Sequence, residues 1–436
     1  MVGPTAPFSE IASALKTWSG PSWLTDARKA AIERFSFAGL PTTRLEAWRT
    51  TPLPDLGTKA FFPGFASTVN KAEALVAPFN QGDALTLVFV DGFHSVTLSS
   101  SEAAWPRGVR LAPLSRLLAM KPDDVRPWFG NEGEAEGAMH DLNAAAFRDG
   151  ASIVVEDGVQ LEVEVRVVLV ATSTEQPVAQ HTRNLVHLGR GSTLRLMVAV
   201  IGGSDARGFI NNHTTVSLGE RSRLDLVRVH ESPLGVPHFD ALRATLGANA
   251  IFNDTLLQTG PSWTRSEIDV ALNGERATAD LGGVFVARGA QMSDIHTVLS
   301  HQAPGVTSRQ NYRGLAGDDG RGVFHGRIIV EPEARGTDAT QSNKNMLLSK
   351  RAQVHSTPAL EILTDDVKCK HGSATGQIDQ AQLFYLRSRG IDPQEATLML
   401  TRAFAGEILT RLSAPSTKTL VDGQIAPSLA SLGVAA

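Results

Sequence analysis

GRGSTLRL at residues 189–196, GERSRLDL at 219–226, GANAIFND at 247–254 and GERATADL at 274–281 are four versions of one phrase. Each opens on a glycine and runs into a stretch with strand character. Gly189, Gly219, Gly247 and Gly274 are spaced by 30, 28 and 27 residues. Short strands that return at such an interval, with a small residue at each corner, indicate an array stacked coil on coil. Glycine suits these corners because it adopts the positive φ that a tight turn demands. Gly219 and Gly274 are therefore expected at equivalent corners two coils apart, with strands of about three to eight residues between corners. Looser echoes follow in RGAQMSDI (288–295), EARGTDAT (333–340) and KRAQVHST (350–357). A β-sandwich whose turns look alike is the alternative. A parallel sheet with crossover helices is disfavoured, because helical wording between the strands is nearly absent.

Period-two alternation extends the array in both directions. In LEVEVRVVL, Leu161, Val163, Val165 and Val167 alternate with Glu162, Glu164 and Arg166, and Leu194, Leu196, Val198 and Val200 continue the pattern. The β body is placed at 151–375, with a helical or mixed region at 1–150 and a helical region at 376–436. Such an array needs capped ends, and the flanking regions are candidates. In the first region Ser9 caps one expected helix, and Thr25 or Asp26 opens another that ends near Gly39 and Pro41. Pro52 and Pro54 stop the stretch PTTRLEAWRTTPL (41–53). LTLVFVDG (85–92) reads as a strand entering a turn, RLAPLSRLLAM (110–120) as a short helix, and NEGEAEGAMHDLNAAAF (131–147) as a loop before another. In the last region Asp379 opens a helix closed by Gly390, and Asp392-Pro393 starts a second. Ala396, Leu400, Ala403, Phe404 and Ile408 form its apolar stripe. Arg387 and Arg389 fall late in the first of these helices, where cations suit the dipole.

Composition narrows the function. The chain has 436 residues, 42% hydrophobic and 20% charged, with a formal charge of −4. This is ordinary globular material, with no electrostatic reason to bind nucleic acid or an anionic membrane. No apolar run reaches the roughly 18–20 residues that span a bilayer. The opening MVGPTAPFSEIASALK lacks the plan of a secretory signal, so a cytoplasmic location is expected. There is no G-x-x-x-x-G-K-[ST], no dinucleotide-binding glycine fingerprint, no H-E-x-x-H and no G-x-S-x-G. The single cysteine, Cys369, excludes intrachain disulfides and any cluster held by four thiolates of this chain.

What chemistry remains lies in ILTDDVKCKHGSATG, residues 362–376. Drawn as a strand, it puts Asp365, Val367, Cys369 and His371 on one face and Asp366, Lys368 and Lys370 on the other. Thiolate and imidazole on one face can address a soft or borderline metal. The adjacent lysines are expected to favour the thiolate. The competing reading is that Cys369 is a small buried hydrophobe. His181, His187, His213, His230, His296, His301, His325 and His355 show no metal-ligand spacing and read as hydrogen-bonded or surface residues.

Two long stretches carry a resemblance. GRIIVEPEARGTDATQSNKNMLLS (326–349) and LEILTDDVKCKHGSATGQIDQAQLFYLRSRGIDPQEA (360–396) resemble the SufD branch of the SufB/SufD family, scaffold subunits of the SUF iron–sulfur cluster assembly machinery. Glu46, Trp48, Arg49 and Thr50 are similar to a Glu-x-Trp-basic-Thr signature of that family. The resemblance implies a right-handed parallel β-helix flanked by helical regions. It implies pairing with a SufB-like paralogue and docking of a SufC-like ABC ATPase on the C-terminal helices, where Phe404, Arg387 and Arg389 are candidate contacts. It also implies a transient iron–sulfur cluster at the interface between the paralogues, with His371 as this chain's ligand and Cys369 beside it. The isolated chain could pair with itself as a homodimer. Reduced flavin is associated with the family complex, but no flavin motif is found here. SufB itself would carry a cysteine within LLSKRAQVHSTP and Glu-His-Glu around His371, and this sequence has neither. The chain is thus expected to be a non-catalytic scaffold, with ATP hydrolysis left to the partner. A purely structural adaptor without a cluster ligand, or a β-helix polysaccharide-active enzyme, are the alternatives. The latter would need a carboxylate cluster along the groove.

Overall fold

The computed structural model describes residues 8, 20–63, 69–102, 105–129, 137–412 and 414–432. The helix expected from Ser9 and most of the loop before 138 lie outside them. The fold is mainly β. From residue 151 onward successive strands alternate between two sheets, and each strand pairs in parallel with the next but one. The first sheet runs from Val109–Pro113 and Ala151–Val155 to Arg321–Val330 and Gln353–Ile362. The second runs from Phe93–His94 and Leu85–Val90 to Thr337–Leu347 and Val367–Gln377. This is a parallel β-solenoid, and the sandwich alternative falls. Antiparallel pairing is confined to its N-terminal end, at Leu85–Val90 with Phe93–His94 and at Val109–Pro113 with Ala151–Val155. The expected strand at LTLVFVDG is present and pairs with Val165–Val170.

Register holds from coil to coil. Leu194, Leu224, Phe252 and Ala279 stack directly above one another, all fully buried. Such columns fill the interior with Leu, Val and Ile from both sheets. The strands are mostly 9–12 residues long, longer than the corner spacing suggested, because a single coil holds only two of them.

Both outer faces are covered as well. Phe35, Trp48 and Phe61 from the N-terminal region pack on Phe209, Phe239 and Trp263 of the first sheet. Helices Pro393–Leu409 and Pro415–Leu432 lay Ile408, Val421, Ile425 and Leu429 on Val229, Leu257 and Val284 of the second. That cover explains why the alternation in LEVEVRVVL does not mark a solvent face. Glu164 and Arg166 are buried, paired at 2.7 Å, with Thr417 Oγ1 donating to Glu164 and Arg166 donating to the carbonyl of Phe79.

Gly219 and Gly274 do occupy equivalent corners: the N–H of Gly219 donates to Leu188 O, of Gly247 to Leu218 O and of Gly274 to Leu246 O. The reason for glycine differs from the one expected. The positive φ falls two residues later, on Gly191, Arg221, Asn249 and Arg276 and then on Gly305 and Gly336. These residues form a ladder of their own, each N–H donating to the next corner's carbonyl. Gly189 and Gly274 are needed for room: a Cβ on Gly274 would lie 2.0 Å from Ala248 N, and one on Gly189 2.5 Å from Asp157 Oδ1. EARGTDAT belongs to this column of corners, whereas RGAQMSDI and KRAQVHST precede strands of the other sheet.

The second expected N-terminal helix is Ser22–Ala38 and starts before Thr25. Thr25 Oγ1 donates to Pro21 O one turn back, so it sits within the helix and does not cap it. RLAPLSRLLAM splits into the end of a strand and the helix Leu114–Met120.

Candidate functional site

The solenoid's C-terminal end is open. Gln353–Ile362 and Val367–Gln377 are the last strands of their sheets, and among the described residues neither has a partner on its outer edge. An unpaired strand edge is a template for another chain. Val367–Gln377 is exposed along almost its whole length.

Register tells which way its side chains face. Cys369 continues the column Ala279, Ser308, Ala339, and His371 continues Leu281, Gln310, Gln341. Those columns point into the solenoid, so both residues face its interior at the place where the coil above is missing. Val367 and Cys369 pack on the core and are half-buried, while His371 is exposed. Two residues along a strand separate their Cα atoms by roughly 6.6 Å. Across the opening, Val354, Ser356 and Leu360 line the other strand, and Ser356 Oγ is buried without a hydrogen-bond partner. The arrangement therefore presents one imidazole, one thiol and an apolar floor to whatever covers the end.

The lysines do not activate the thiol. Burial pushes the Cys369 thiol up, a backbone hydrogen bond at Ala339 opposes the change, and Asp338 adds to it. Lys368 and Lys370 lie on the opposite face and act on Asp338, whose carboxyl is held down chiefly by its hydrogen bond with Arg309.

The C-terminal candidates separate. Phe404 is half-buried in this chain's own packing, with the Arg313 guanidinium 4.9 Å above its ring. Of that helix's stripe, Phe404 and Ile408 pack against the solenoid, Ala396 is buried, Leu400 is half-buried and Ala403 is exposed. Arg387 and Arg389 are exposed, and beside them Phe384 and Tyr385 are 71% and 57% exposed. The helix Gln380–Ser388 buries no residue at all. Sequence reading missed Phe384 and Tyr385 because an apolar pair on a short helix reads as core until its packing is seen. Asp379 and Asp392 cap as expected, accepting from Ala381 N and Gln394 N at 2.8 Å each.

The N-terminal signature is an anchor. Trp48 stacks near Trp263 at 6.3 Å, the Arg265 guanidinium lies 4.0 Å over its ring, and Thr51 donates to Asp294 at 2.7 Å. Glu46, Arg49 and Thr50 are exposed. Among the histidines, His181, His213, His230 and His301 are buried; His301 is hydrogen-bonded as expected, to Thr337 and Ser308, whereas His181 departs from expectation, with no hydrogen-bond partner on either ring nitrogen.

Residues 169–404 match the SufBD core domain of SUF-system FeS cluster assembly, and residues 7–167 match the SufBD protein N-terminal region. The chain belongs to the SufBD family. It is 30% identical to the iron–sulfur cluster assembly protein SufD of Escherichia coli over 405 residues, 91% of each chain. An iron–sulfur cluster assembly SufBD family protein of Synechocystis is 24% identical, covering 90% of this chain and 88% of the relative. The chloroplastic protein ABCI7 of Arabidopsis thaliana is 24% identical over 88% of this chain and 82% of its own length. Among the described residues of this SufBD chain no helix is long and apolar enough to cross a membrane.

Proposed function

We propose that this chain is a SufD-like scaffold of cytoplasmic iron–sulfur cluster assembly, pairing through its open solenoid end with a SufB-like paralogue. The observation that carries this reading is the pairing of an uncovered 11-residue edge strand with an inward-facing His371 on it. A partner strand laid on that edge extends the sheet and closes a cavity over Cys369 and His371. The nascent cluster is cargo in that cavity. One thiol cannot hold it, so the partner supplies the thiolates, and His371 adds an imidazole that can ligate iron without adding negative charge. Cys369, with its thiol pushed up by burial, is the weaker candidate of the two. The C-terminal helices carry a SufC-like ATPase on the exposed surface of Phe384, Tyr385, Arg387 and Arg389, and the chain itself catalyses nothing.

Hydrogen exchange tests the interface. The outward-pointing amides of 353–362 and 367–377, those not bonded to the inner neighbouring strand, are expected to exchange quickly in the isolated chain and to gain protection when the paralogue is added. Unchanged exchange there, with the complex demonstrably formed, contradicts the pairing.

A further inference from the structure

A second constellation lies inside the solenoid, well before the open end. His230 is the penultimate residue of the strand Arg223–Glu231 of the second sheet, and His238 and Asp240 are the first and third residues of the strand His238–Leu246 of the first. His230 shares the inward parity of Leu224 and Leu226, and His238 and Asp240 that of Leu242 and Leu246. All three side chains are 0–1% exposed. Their ligand atoms lie within 4.8 Å of one another, the only such group of three among the described residues. His230 Nε2 is 3.6 Å from Asp240 Oδ2, His238 Nε2 is 3.9 Å from Asp240 Oδ1, and the two rings are 4.4 Å apart.

These distances are too long for hydrogen bonds, and the consequence is visible atom by atom. His230 Nε2 and both ring nitrogens of His238 are buried without any hydrogen-bond partner. Each orphaned polar atom costs about 1–3 kcal/mol, so three around one carboxylate require a reason. Charge points the same way. Arg228 donates twice to Asp254, at 2.9 and 2.6 Å, and once to Asp240, at 2.7 Å. One guanidinium between two carboxylates leaves one negative charge with no cation, in an interior where unpaired charge is costly. The surrounding groups hold the three residues in place. Asn212 Nδ2 donates to Asp240 Oδ1 at 2.7 Å, and Ser266 Oγ stands 3.5 Å from His230 Nδ1. Such outer contacts orient metal ligands.

We propose that His230, His238 and Asp240 bind one divalent first-row transition-metal ion of the zinc or ferrous type. Two neutral imidazoles and a carboxylate are ligands of the borderline kind these ions prefer. With metal–ligand bonds of about 2.0–2.1 Å, tetrahedral ligand atoms stand roughly 3.3 Å apart, so this set closes by roughly 0.3–1.5 Å on binding. The ion supplies the carboxylate pair with the second cation it lacks, taking the local charge from −1 to +1, and clips the end of one sheet's strand to the start of the other's. The turn 232–237 forms the outer wall, and its exposed Leu234 and Gly235 bring solvent close. Because the site is separate from His371, it stands or falls independently of the scaffold reading.

Cobalt(II) is the probe. The full chain, stripped with chelator and incubated anaerobically with Co2+, is expected to take up one equivalent with visible d–d bands. The His371→Ala/Cys369→Ser double variant should do the same. His238→Gln, checked for native circular dichroism, should lose affinity by at least about 100-fold. X-ray absorption on the wild-type complex should show two imidazoles and no sulfur, which keeps the test decisive if the variant fails to fold. No stoichiometric cobalt in the wild type, unchanged uptake by a folded His238→Gln, or sulfur scattering overturns the proposal.

Discussion

His301 shows what burial does to a single imidazole in this interior. Its Nε2 lies 2.9 Å from Ser308 Oγ and its Nδ1 3.4 Å from Thr337 Oγ1, and burial lowers its pKa to about 4. The neutral ring fits both hydroxyls, and burial disfavours the protonated ring, which among the described residues is paired with no carboxylate. An unfolded chain binds this proton near pH 6.5 and the folded one only near 4, so stability falls as pH drops through that window. Between pH 7 and pH 5 the loss from His301 should be about 2 kcal/mol. Urea unfolding of His301→Gln at both pH values should show a correspondingly smaller difference. An unchanged difference contradicts the assignment. At this scale the sequence was legible where period two sufficed: Cys369 and His371 share a face as drawn. The state of the thiol was not, because burial by the neighbouring coil outweighs two lysines adjacent in sequence but opposite in space. Nor was the meeting of His230 with His238 and Asp240, which depends on how the turn 232–237 folds one strand's end over the next one's start.

Corners and helices make up the middle scale. The repeat was read correctly from its glycines, yet their role was assigned to φ when most of it is room. The two causes are separable. Gly274→Ala drives a Cβ into the backbone of Ala248 and should cost about 3 kcal/mol or more. Gly191→Ala meets nothing within 4 Å and carries only a left-handed φ of 63°, which costs about 1 kcal/mol. Denaturant midpoints rank the two, and equal losses would refute the distinction. The C-terminal helices divide similarly. Phe404→Asp should destabilise the chain by about 1–3 kcal/mol, since it disturbs the ring under Arg313. Phe384→Asp should leave the melting temperature unchanged and abolish capture of the SufC-like ATPase. Full ATPase capture by Phe384→Asp would place the docking surface elsewhere. Periodicity revealed this stripe, but it could not say whether the stripe faced this chain's solenoid or a partner.

For the whole molecule, a solenoid closed at one end and open at the other explains why its ends differ. Antiparallel pairs and the packed N-terminal region finish the first coils, while Val367–Gln377 leaves an uncovered edge. A repeat sequence announces stacked coils, and the stretch before the last strand, LTDDVKCK (363–370), lacks the corner glycine, but that alone does not separate an uncovered edge from a covered one, which the assembled sheets show. On the scaffold function proposed above, His371 on this edge serves the cluster and not the fold. The most direct test is the iron and sulfide content, with visible absorption, of the anaerobically purified complex with the SufB-like and SufC-like partners. His371→Ala should fold, assemble and lose most of the cluster, with Cys369→Ser affected less. Wild-type cluster content in the assembled His371→Ala complex would contradict the claim.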